Sequence, residues 1–177
     1  MKLSSFLVFL LIFNSSNIFS TNYYFSESLG NDSWSGRFSM PNANNTDGPK
    51  KSLTAFNALL NTIAKPGDSI FLKRGDQWSG ANGITANAAQ GNANMYIFIG
   101  AYGQGAKPRI NKTGAGEILL CRGSANAASS YLKFQDLALV SNSAIGNRPV
   151  GVYINESFYS LKPHHIILDG LYITGCQ

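Results

Sequence analysis

The sequence predicts an all-β solenoid, a parallel β-helix, with one amphipathic helix capping its N-terminal end. Three observations carry this. Strand-like segments recur at a shift of thirty-four residues. Only one stretch has helical periodicity, and it stands just before the first of them. The composition is also that of a turn-rich β protein: of 177 residues, 13% are charged and 18 are glycine.

The chain opens with a leader. Lys2 supplies a positive end, Phe6 to Phe13 ("FLVFLLIF") is an apolar run too short to span a bilayer, and Asn14 to Ser20 is polar and ends in a small residue. This reads as a secretory signal peptide over residues 1–20. Residues 21–177 are then the exported part, found outside the cytoplasm and with no membrane partner once the leader is removed.

Thr21 to Ser26 ("TNYYFS") reads as a short aromatic strand. Gly30 to Pro49 is dense in Asn, Asp, Gly and Pro and has no apolar period. Its clusters at Gly30–Asp32 and Asn45–Gly48 suggest calcium. They lack the carboxylates of a calcium loop and fit ordinary turn chemistry better. Ser52 to Ala64 is the helix. Ser52 can cap it, Leu53, Phe56, Leu60 and Ile63 make one stripe with Leu59 beside it, and Pro66-Gly67 stops it.

A Pro-Gly-Asp turn leads into the strand Ser69–Lys73, and Arg74-Gly75-Asp76 turns the chain again. Beyond it come short strands only. "ITAN" (Ile84–Asn87), "ILLC" (Ile118–Cys121) and "VYIN" (Val152–Asn155) lie thirty-four residues apart. Tyr131–Asn142 aligns with His165–Cys176 at the same shift, setting Leu132 against Ile166, Phe134 against Leu168, and Leu139 against Ile173. Tyr96–Ala101 is a looser earlier copy. Units of about three strands without a helix exclude helical and leucine-rich repeats and fit a coil whose successive turns pair in parallel. Alternate side chains then stack inward, with Ile84, Ile118 and Val152 in one column and Asn87, Cys121 and Asn155 in another. The helix, just before the first turn, would cover the open end of the coil.

The net charge is +5, from 14 Lys and Arg against 9 Asp and Glu. Basic residues are adjacent only at Lys50-Lys51 and Lys73-Arg74, which argues against nucleic acid and leaves an acidic polysaccharide as the expected partner. Two cysteines, Cys121 and Cys176, allow a bridge, but two buried thiols are the favoured reading.

The run "YYFSESLGNDSWSG", then the helix, then "AKPGDSIFLKRGDQWSG", "YIFIGAYGQGAKPRI" and "HHIILDGLYITG", resembles the N-terminal part of secreted bacterial right-handed parallel β-helix proteins of the pectin-lyase-like superfamily. The resemblance covers nearly the whole exported chain. It implies a right-handed coil and a polysaccharide lyase that cleaves an acidic, uronate-containing glycan by β-elimination, with calcium as a cofactor some of these proteins use. A glycoside hydrolase on the same fold, or a non-catalytic glycan-binding surface protein, are the alternatives.

The sequence offers no catalytic constellation. Lys133, Tyr153 and His165 are the outward-facing candidates for binding substrate, with Tyr131 sharing a column with His165. Asp136 and Asp169 could be a catalytic pair, but read better as turn residues. His164-His165 lacks a third metal ligand, so no metal site is expected. Residues 21–177 read as the first part of a truncated β-helix, with catalytic residues expected after Gln177.

Overall fold

The computed structural model describes residues 20–142, 149–155 and 161–176. The expected leader lies outside these residues apart from Ser20. The elements in order are β1 (Asn22–Phe25), α1 (Leu53–Thr62), β2 (Ser69–Lys73), β3 (Gln77–Gly80), β4 (Ile84–Asn87), β5 (Ile97–Tyr102), β6 (Arg109–Lys112), β7 (Gly116–Arg122), β8 (Ser130–Gln135), β9 (Ala138–Ser141), β10 (Pro149–Asn155), β11 (His164–Asp169) and β12 (Tyr172–Thr174).

The strands form three sheets, named A, B and C below. Sheet A runs β1-β2-β5-β8-β11, sheet B runs β3-β6-β9-β12, and sheet C runs β4-β7-β10. Every pair is parallel. From β2 onward the chain enters A, B and C in fixed rotation, so each circuit lays one strand on each sheet. Among the described residues this is an all-β parallel fold with one short helix, and it supports a β-helix-like solenoid.

Alternation along each strand sends one set of side chains into the space between the sheets. On sheet A, Tyr23 pairs with Ile70, Ile70 with Ile99, Ile99 with Phe134, and Phe134 with Leu168. Tyr23, Ile70, Ile99 and Phe134 are buried. Trp78, Ile110 and Leu139 do the same on sheet B. Each such side chain contributes about 1.5–3 kcal/mol by leaving water.

Helix α1 forms where the stripe predicts. Ser52 caps it by accepting the Ala55 N–H at 3.1 Å. Leu53, Phe56, Leu59 and Leu60 are buried, and Phe56 meets Phe25 edge-on with ring centres 5.2 Å apart. The expected stripe is wrong at its end: Ile63 lies past the last helical residue and is 50% exposed.

The polar flank of α1 meets the outer edge of β4. Asn57 donates to the Gly83 carbonyl at 2.9 Å and accepts the Thr85 N–H at 2.9 Å. Asn61 donates to the Thr85 carbonyl at 2.8 Å and accepts the Asn87 N–H at 2.7 Å. Residues four apart share a helix face, so two carboxamides imitate the backbone of a neighbouring strand. The outer edge of β1 is likewise occupied, by backbone bonds with Gly36 and Lys50. A carboxylate fastens each end of β2. Asp68 accepts the Thr21 and Lys65 N–H groups, and Asp76 accepts from Ser26, Ser28 and Lys73.

Sheet C corrects the expected register by one residue. Ile84 pairs with Leu119, not Ile118, and Val152 pairs with the same Leu119. The spacing is thirty-five residues in one circuit and thirty-three in the next. Ile118 and Leu119 are both buried, so apolar pattern alone could not choose between them. The second column therefore changes too: Cys121 stands between Ala86 and Ile154, and Arg122 stands between Asn87 and Asn155. The cysteines are unbridged. Cys121 is buried, but Cys176 is exposed, against the expectation of two buried thiols.

Candidate functional site

The outward face of sheet A gathers the chemistry-bearing side chains. Its register sets Tyr24 beside Phe71, Phe71 beside Gly100, Phe98 beside Lys133, and Lys133 beside Ile167. Three aromatic rings form a row across the strands. Tyr24 stacks on Phe71 with centres 5.6 Å apart, and Phe71 meets Phe98 at 5.7 Å. The ring of Phe98 leans over Gly100. A β-carbon at residue 100 would come within 2.5 Å of it, so glycine is required there for the ring to lie where it does.

Tyr102 closes one end of the row. Its ring meets Tyr24 edge-on at 5.2 Å, and its hydroxyl donates to the Ser39 carbonyl at 3.1 Å. Burial pushes its phenol above the usual range, with nearby Asp76 acting in the same sense. Asp76 is opposite. Burial works against its ionisation, but hydrogen bonds from Ser26, Ser28 and Lys73 outweigh that, and its carboxyl lies below the usual range.

The corner where the chain leaves sheet A for sheet B carries an ion cluster. Asp136 pairs with Arg74 and, at 2.8 Å, with Lys107. Lys107 also donates to the Gly170 carbonyl. Asp136 has a left-handed backbone, φ 62°, at the corner that Gly170, φ 59°, occupies one circuit later. Asp tolerates this conformation better than most residues.

Of the three residues expected to bind substrate, the structure brings two to this face. Lys133 lies on β8, paired with Asp169 at 3.2 Å. His165 lies on β11, its ring stacked on Tyr131 with centres 4.4 Å apart and planes 14° from parallel. Both Tyr131 and His165 are left-handed, at φ 53° and 54°, a conformation that His adopts more readily than a bulky residue such as Tyr. Tyr96 meets Tyr131 edge-on at 5.6 Å, and His164 Nδ1 lies 2.7 Å from His165 Nδ1. Tyr153 points outward as expected, but from sheet C, beside Leu120.

The turn reading of Asp136 holds, since it makes the corner. Asp169 instead ends a strand. Both carboxylates are held in ion pairs, Asp136 with Arg74 and Lys107 and Asp169 with Lys133, so neither stands as an unengaged carboxyl group on this face. Asp32 and Asp47, in the loop whose Asn, Asp and Gly clusters suggest calcium, accept protein hydrogen bonds from Lys51, Ser52 and Ser35. Among the paired strand positions, no outward column places Lys, Arg, Asp or Glu on two neighbouring strands. Sequence reading missed the aromatic row, because its members sit on three separate strands and meet only once the register is known.

No protein-family model matches the sequence, and no curated protein matches it. Solved structures do. A GH136 lacto-N-biosidase from Eubacterium ramulus, as its selenomethionine derivative, aligns over 86% of this chain with a TM-score of 0.64 and 25% identity. The native form of that protein aligns over the same share with a TM-score of 0.63 and 24% identity. The chain spans about a quarter of the length of these neighbours, 27% in each case. The likeness is one of fold, shared with a glycoside hydrolase.

Proposed function

We propose that this chain is part of a secreted, carbohydrate-active protein of glycoside-hydrolase type, built on a right-handed parallel β-helix that α1 caps at its first circuit. The observation that carries the reading is the fold likeness to a lacto-N-biosidase over 86% of the chain. The cap is supported by the buried stripe of α1 and by the grip of Asn57 and Asn61 on β4. A glycan partner is supported by the rings and hydrogen-bonding groups spread over sheet A.

The role of this chain in such a protein is to hold glycan, because the carboxylates beside the outward face of sheet A, Asp76, Asp136 and Asp169, are held in ion pairs. A lyase acting on uronate chains is the second reading. It would use Lys133 as base, and the pairing of Lys133 with Asp169 speaks against that. The purified chain, passed over a panel of immobilised neutral and uronate glycans, is expected to be retarded on at least one. Release of unsaturated uronate, seen by ultraviolet absorbance, would favour the lyase reading. Failure to bind or cleave any member of the panel would overturn the carbohydrate reading.

A further inference from the structure

We propose that the row Tyr24–Phe71–Phe98 on sheet A is a stacking site for an uncharged, linear glycan laid across the strands. This rests on the carbohydrate reading above and names the surface and the class of sugar.

The first argument is the arrangement of rings. Sugar rings carry an apolar C–H face that stacks on aromatic side chains, and successive sugars of an extended chain need successive rings. Tyr24, Phe71 and Phe98 come from three neighbouring strands and follow one another at 5.6 and 5.7 Å. All three are half-buried and none belongs to the core between the sheets. Gly100 makes the row possible by yielding its side-chain space to the ring of Phe98.

The second argument is charge. Lys73, Arg74, Lys107 and Lys133 all lie on or beside this face. Each is matched by a carboxylate: Asp76, Asp136 for two of them, and Asp169. A polyuronate would have to displace these carboxylates to find a cation. A neutral sugar would not, and its hydroxyls can use the carboxamide of Gln135, half-buried at the end of β8. The bond from Tyr102 to Ser39 also anchors the loop carrying exposed Phe38 and Met40 beside the row.

The test is calorimetric titration of the chain with cellohexaose, xylohexaose and a polygalacturonate oligomer, at low and high salt. A neutral hexamer is expected to bind with little salt dependence. Phe98→Ala should weaken it by roughly tenfold or more, as loss of a ring contact does. Gly100→Ala, which displaces the same ring, should do likewise, and Tyr172→Ala, an exposed ring on sheet B, should leave binding unchanged. Circular dichroism and melting of each variant show whether the fold is kept. Binding of a neutral hexamer that survives both Phe98→Ala and Gly100→Ala in folded protein overturns the site. Binding confined to polygalacturonate, and fading with salt, overturns the sugar class while leaving the carbohydrate reading intact. Absence of binding to every oligomer overturns the inference, and retention on the wider glycan panel then decides whether the carbohydrate reading goes with it.

Discussion

Asn57 and Asn61 bracket Thr85: the first accepts its N–H and the second donates to its carbonyl. One helical turn thus does the work of a missing strand along β4. Asn57→Ala or Asn61→Ala would leave backbone groups of Gly83, Thr85 and Asn87 without these partners. Each variant should lose about 1–3 kcal/mol of stability. Urea unfolding of the single and double variants measures it, and the double variant should also aggregate more readily through the freed edge.

Leu60 faces the core from the same helix and is buried. Leu60→Asp puts an unpaired charge in that contact. The expected result is an insoluble or unfolded product. A soluble variant with the parent melting temperature would remove the covering role from α1.

Asp76 links stability to pH. Its carboxyl is held below the usual range in the folded protein, while in the unfolded chain it titrates near an ordinary Asp, at about 3.9. The folded state therefore binds fewer protons there than the unfolded state. Its contribution is fully present above the unfolded value and is lost as pH falls through the folded one. Asp76→Asn should lower stability at neutral pH and flatten its fall between about pH 4 and the folded value. Denaturation at a series of pH values checks both.

The two thiols should differ in reactivity. Burial pushes the Cys121 thiol up to about 12, and Cys176 is exposed. An alkylating reagent at neutral pH should label one site quickly in native protein and two after denaturation. Peptide mapping should place the fast label on Cys176; rapid labelling of Cys121 would mean that the interior opens.

Much of the fold is legible in the sequence because a repeat announces itself. Leu132, Phe134, Ile166 and Leu168 take the places their spacing predicts, since each has only one apolar way to face inward. The register of sheet C is not legible, because adjacent Ile118 and Leu119 offer the same apolar signal. Strands β3 and β6 are faint for a related reason. "QWSG" and "RINK" each carry a single inward apolar residue, Trp78 and Ile110, among polar neighbours. Of the site, Lys133 and His165 could be placed on one face from the repeat alone. The row of rings could not, because Tyr24 and Phe71 precede the repeat, Phe98 falls in its loosest copy, and the place of Gly100 depends on pairing.

The occupied edges of β1 and β4 give the molecule a direction of assembly. Loop backbone already fills one side of the first strand, and helix side chains fill one side of the other. A later strand can dock on the remaining side only. Sheets A and C must therefore lengthen from low residue numbers to high, the order in which a chain leaves the ribosome or crosses an export pore. Each circuit in turn offers its one open edge as the template on which the next can pair.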